Sequence, residues 1–202
     1  YGIRFRRILG KKSYSRATGD DPEHVGKYAA EFAKMCLRLH RVRVDRTQFE
    51  SVKQRYYELL EANPFFSTAE KDRIARFIAD APDSDMALHG DLQYSNVIFT
   101  DTERYFIDLG DFGYGYNLFD IGMVYLSCCL SGEDFIQETF HMPKSLSIRF
   151  WECFAPVYFG EDRPLKDIEE EVRPYAGLKT LIVERDTGMP MPEFRAALSR
   201  IL

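Results

Sequence analysis

The spacing of apolar positions changes character twice along the chain. Residues 1–9 alternate, with Ile3 and Phe5 set against Arg4 and Arg6, which predicts a strand closed by Gly10. Asp20-Asp21-Pro22-Glu23 then carries the marks of a helix start: an Asp cap, a first-turn proline and an acid at the positive end of the dipole. Val25, Ala29, Phe32, Cys36 and Leu39 form one stripe, so the spacing predicts a helix over 20–40. A second helix is expected over 49–60, ending before Asn63-Pro64. A third follows Ser67, whose three-residue offset from Glu70 is that of a capping box, and reaches about residue 79. After the break at 81–85 come short β-rich runs at 86–88, 96–100 and 105–109, the last two joined by a turn at 101–103. Helical spacing returns at 120–130, 145–159, 165–185 and from 192 onward, with Pro174 expected to kink or divide the third of these. The pattern predicts an α+β chain, a helical body into which a small β-hairpin is inserted.

Composition narrows the class. The 202 residues are 45% hydrophobic and 14% aromatic, enough for one substantial core, in one domain or one large lobe with an appendage. A net charge of −5 argues against a nucleic-acid partner and is compatible with a cationic small substrate. Cys36, Cys128, Cys129 and Cys153 lack C-x-x-C spacing and read as reduced structural thiols of a cytoplasmic protein. The apolar run at 121–130 is too short for a membrane span, and the basic start has no signal-peptide core, so no membrane partner is expected. The chain begins with tyrosine, which leaves room for a preceding segment.

Three polar residues look out of place among the β-rich runs. Asp91, Asn96 and Asp108 come together if a loop precedes the hairpin and Asp108 ends its second strand. Two carboxylates and an amide oxygen make a hard oxygen site of the kind Mg²⁺ takes, with phosphate oxygens and water completing the shell. Burying such groups without a partner is costly, which favours a functional reading over three separate turn residues.

His89-Gly90-Asp91-Leu92 followed by Asn96, then Ile107-Asp108, then Phe119-Asp120-Ile121-Gly122, resembles the signature of the aminoglycoside phosphotransferase/choline kinase family. The resemblance implies a protein-kinase-like fold, with residues 11–202 as a mainly helical C-terminal lobe whose hairpin bears the catalytic and metal residues. It implies ATP- and Mg²⁺-dependent transfer of the γ-phosphate to a hydroxyl of a small molecule. Asp91 matches the base, Asn96 and Asp108 the metal ligands. His89 and Asp120 would support the loop, and Asp111 would be a possible substrate contact. The literal Asp111-Phe112-Gly113 lies three residues too late to be the metal motif. Gln93 departs from the His or Lys often found at that point.

The resemblance further makes residues 1–10 the last strand and hinge of an N-terminal lobe whose remainder is absent from the sequence. Arg6 and Ile8 would meet adenine and Phe5 would line its pocket. No lysine after a glycine loop is present, so the piece alone is expected to be inactive. The alternative is a non-catalytic nucleotide-binding or scaffold relative. A protein kinase would show H-R-D and A-P-E, and a metallophosphoesterase a G-N-H element with its G-D pairs; H-R-D, A-P-E and G-N-H do not occur. The substrate and oligomeric state stay open. Glu133, Asp134, Glu138 and Glu152 fit either contacts to a cationic amine or an ordinary solvated face.

Overall fold

The structure, a computed structural model, describes residues 8–202. Phe5, Arg6 and most of the expected first strand lie outside the described residues. Of the remainder, Ile8 is half-buried and outside any strand, while Leu9 and Gly10 form a turn. Gly10 takes a φ of 67°, open to glycine without cost.

Strand β1 (Lys12–Ser13) leads into helix α1 (Tyr14–Asp20), capped by the Ser13 hydroxyl accepting from the Arg16 N–H. The sequence pattern does not mark this helix, because its apolar positions are few and Gly19 lies inside it. The long helix expected over 20–40 is correspondingly shorter: a 3₁₀ turn Pro22–His24 precedes α2 (Val25–Leu39). Asp21 does not cap the backbone there. Its carboxylate instead accepts from the Tyr28 hydroxyl at 3.0 Å and pairs with His24 at 2.8 Å.

Helix α3 (Val52–Ala62) starts at a Ser51 cap, so Phe49 lies outside it and packs on Phe112. The capping box of Ser67 and Glu70 forms as expected and opens α4 (Thr68–Asp80). Strands β3 (Val97–Phe99) and β4 (Arg104–Phe106) make the anticipated antiparallel hairpin, registering Val97 with Phe106 and Phe99 with Arg104. β1 adds to its other edge. A second small sheet pairs β2 (Ala87–Leu88) with β5 (Gly113–Tyr114). Asp108 therefore lies beyond β4, in the segment joining the two sheets, and not on the strand.

Helix α5 (Leu118–Tyr125) continues as a π turn over Leu126–Leu130, whose wider hydrogen bonding is closed by the Ser131 N–H reaching the Leu126 carbonyl. An unanticipated helix α6 (Glu133–Phe140) precedes α7 (Lys144–Phe159). Helix α8 (Leu165–Leu178) runs through Pro174, and the division falls at Lys179, ahead of α9 (Thr180–Thr187). Helix α10 (Pro192–Arg195) and a 3₁₀ turn Ala196–Leu198 close the chain, where one helix from 192 onward was expected.

Helix α2 lies along α7 and α5 along α8. Between the first pair, Phe32 packs on Phe150 and Phe154, and Phe150 on Tyr94, which comes from the β2–β3 loop. That ring is fully buried and its hydroxyl meets Ser147, so the loop is nailed to the core by its own middle. In the second pair, a Cβ on Gly122 would stand 2.6 Å from the Tyr175 carbonyl carbon, so glycine permits the close crossing. Burial pushes the thiols of Cys36 and Cys128 well up; all four cysteines are free. Among the described residues no helix is long and apolar enough to cross a membrane.

Candidate active site

The β2–β3 loop and the β4–β5 segment meet at the site. Hairpin register does the first part: the Ile107 N–H donates to the Asn96 carbonyl at 3.0 Å, so Asp108 follows immediately beside Asn96. His89, fully buried, ties the two segments together a second time, its Nε2 donating to the Ile107 carbonyl at 3.0 Å. Gly90 adopts φ 87°, and a Cβ there would lie 2.0 Å from the Asp111 carbonyl oxygen. Any larger residue would push the two segments apart.

Asp91 is half-buried and its Oδ2 is well furnished. The Asn96 amide donates to it at 2.9 Å and to the Asp91 carbonyl at 3.0 Å, and the Gln93 amide donates at 3.1 Å. Gln93 is thus engaged with the carboxylate it follows. With Nδ2 of Asn96 turned toward Asp91, its Oδ1 accepts no hydrogen bond among the described residues. The reverse orientation would set an amide oxygen against a carboxylate. Asp108 is exposed, with φ 60°, and its carboxylate makes no hydrogen bond or ion pair among the described residues.

Asp120 stands behind the loop. Though fully buried at the first turn of α5, it accepts from the Gly90 N–H at 2.8 Å on Oδ1, and on Oδ2 from the His89 N–H at 2.7 Å and His40 Nε2 at 3.1 Å. Burial alone would raise its pKa. The His40 hydrogen bond, the His40 and Lys179 charges and the His89 N–H outweigh burial and hold the carboxyl below the usual range. Behind His40, the Asn117 amide donates to the Tyr158 hydroxyl at 2.7 Å, and that hydroxyl shares a hydrogen bond with His40 Nδ1 at 2.6 Å.

Two residues that sequence reasoning missed complete the support. Lys179, at the α8–α9 division, is buried and donates to the Gly90 carbonyl at 2.8 Å, its ammonium 5.5 Å from the centre of the Tyr56 ring. Burial would lower its pKa, yet the Tyr56 phenol and the carboxylates of Asp120 and Asp91 hold it above the usual value. His40 is the other. Neither has a local sequence signal, since Lys179 lies 89 residues from its carbonyl partner and His40 lies 80 from Asp120.

A cleft of about 240 Å³ opens at Asp91. Asp111 and Lys179 share its wall with the apolar Met123, Leu126 and Ile182. Arg55 fixes Asp111, donating to its carbonyl at 2.7 Å with the carboxylate at 3.7 Å. Glu133, Asp134, Glu138 and Glu152 are exposed and none lines this cleft. No group of three or more His, Cys, Asp or Glu side chains is gathered as a metal cluster among the described residues. Outside this cleft lining, Asn96 and Asp108 are the residues that could hold a cation, with phosphate and water completing its shell.

Residues 2–147 match the model of the phosphotransferase enzyme family, APH. The chain belongs to that family. No curated protein matches it. Two solved structures are similar at 16% identity and 97% coverage of this chain. One is a choline/ethanolamine kinase family protein from Mesorhizobium loti, with TM-score 0.48 and 67% of its own chain covered. The other is amicoumacin kinase hAmiN in complex with AMP-PNP, Ca²⁺ and Ami, with TM-score 0.56 and 61% covered. The chain thus spans about two thirds or less of these structures' length. The phosphotransferase-family fold is α+β and protein-kinase-like, a mainly helical lobe with the hairpin anticipated from sequence.

Proposed function

We propose that the protein transfers the γ-phosphate of ATP to a hydroxyl of a small molecule, with Mg²⁺. The observation that carries this reading is the joining of Asp91 and Asn96 at 2.9 Å on a loop that hairpin register sets beside the exposed Asp108. Oδ2 of Asp91 is held by Asn96 and Gln93, which leaves Oδ1 to accept the proton of the acceptor hydroxyl as its oxygen bonds to phosphorus and ADP departs. Asn96 Oδ1 and the Asp108 carboxylate offer hard oxygens to a divalent cation. Mg²⁺ held there with phosphate oxygens would neutralise charge on the transferred group. His89, Asp120, His40 and Lys179 fix the loop carrying Asp91. Asp111 is a candidate substrate contact from the cleft wall. The AMP-PNP and Ca²⁺ bound to amicoumacin kinase support a nucleotide and a divalent ion as cofactors. We assign the adenine contacts to Phe5, Arg6 and Ile8, on the family resemblance alone.

The test uses the whole protein. It is offered Mg·ATP with a panel of hydroxylated small molecules, and ATP consumption is followed. Acceptor-dependent consumption that requires Mg²⁺ is the expected result. Binding of Mg·ATP with no consumption for any acceptor would replace this reading with a non-catalytic nucleotide-binding relative, and failure to bind Mg·ATP would remove both.

A further inference from the structure

The cleft at Asp91 does not stand alone. A second cleft, about 470 Å³, opens between the C-terminal half of α3 and helix α9. Arg185 lines both. Arg55 lines the second and bonds Asp111, which walls the first. The two clefts therefore meet across Arg55, Asp111 and Arg185.

Their linings differ. Leu59, Ala62, Pro64, Phe65 and Leu181 make the second cleft largely apolar. Its polar groups are mostly spoken for already. Glu184 accepts from Asn63 at 2.8 Å, the Met191 N–H at 2.9 Å, and two Arg195 nitrogens at 2.6 and 2.9 Å. Asn63 Oδ1 accepts from the Phe65 N–H at 2.8 Å, and Arg55 divides its donors between Asp111 and Glu50. A ligand seated there gains by covering apolar surface and finds few unpaired polar atoms. Ligand sites for drug-sized molecules commonly run about 300–1,000 Å³, so the Asp91 cleft falls short alone and reaches that range with its neighbour.

We propose that the α3–α9 cleft is the far half of the acceptor site, seating an apolar portion of a molecule whose reacting hydroxyl lies at Asp91. This rests on the phosphotransfer reading above. The acceptor class is an amphipathic alcohol, a hydroxylated head joined to an apolar ring or chain. A compact amino alcohol would leave the larger cleft empty.

The test compares n-octyl β-D-glucopyranoside, below its micelle concentration, with methyl β-D-glucopyranoside, which has the same hydroxyls and no tail. Binding to the whole protein is measured by saturation-transfer NMR, which needs no turnover. The octyl compound is expected to bind at least about tenfold more tightly. Ala62→Trp, on an exposed wall of the cleft, and Glu58→Trp beside it should each erase that advantage without lowering the melting temperature. Equal binding of the two glucosides, or an octyl advantage that survives both variants, would overturn the proposal. So would faster Mg·ATP consumption with compact alcohols than with tailed ones of the same head group, and that result would leave the phosphotransfer reading in place. No consumption with any alcohol, alongside an octyl advantage erased by both variants, would remove the phosphotransfer reading and the acceptor role with it.

Discussion

Asp108 is the most exposed of the proposed ligands, and its backbone is the most unusual, with φ 60°. Asp and Asn tolerate that conformation better than most residues. Asp108→Asn should therefore leave stability within about 0.5 kcal/mol of the parent. It should weaken the apparent Mg²⁺ affinity in ATP consumption by at least about tenfold, since a carboxylate ligand becomes an amide. Unchanged Mg²⁺ dependence would remove Asp108 from the metal site. At this scale much was legible in the sequence: Asp91, Asn96 and His89 fall within eight residues, and Asp108 follows a strand whose pairing returns it to them. Lys179 and His40 were not, because a buried lysine or histidine acquires its role only when distant helices close on the loop. The acids at 133–138 and 152 left two readings open, contact to a cationic amine or a solvated face, for the converse reason. Acidity shows in a sequence, but which cleft an acid faces does not.

Between elements, the important joint is α5 to the loop carrying Asp91, through Asp120. Asp120→Asn keeps the shape but removes the charge that two backbone N–H groups and His40 address. Hydrogen bonds to a charged group are worth about 1.5–3 kcal/mol, and a loss of that order is expected at pH 7 in urea unfolding. The folded carboxyl titrates below its unfolded value of about 3.9, so its stabilisation is complete above roughly pH 4 and is lost as pH falls through the folded value. The gap between parent and variant should thus narrow on acidification below pH 4. A gap that stays constant down to pH 2 would mean that Asp120 is not held as the anion. Element boundaries were legible where a cap fixes them, as at Ser67 with Glu70. They were misread where tertiary contact decides. The α8–α9 division is set at Lys179, whose side chain turns inward to Gly90, and not at Pro174, which the helix absorbs. α1 and α6 carry too few apolar positions to announce themselves, and β2 pairs with β5 over only two residues.

As a whole molecule, the chain is an aromatic-cored helical body that offers one furnished loop on its surface. Tyr94 anchors that loop from below, Asp120 and Lys179 from the side, and the hairpin from the far end. So much support around Asp91 is consistent with a group that must be held still, and general-base help of about 10²–10⁴-fold is what a positioned carboxylate contributes. The most direct measurement is the turnover of the Asp91→Ala variant of the whole protein, with Mg·ATP and its best acceptor, beside a melting curve. We expect turnover to fall at least about a hundredfold while the melt and Mg·ATP binding are retained. Near-parental turnover in a folded Asp91→Ala protein would contradict the assignment of the site.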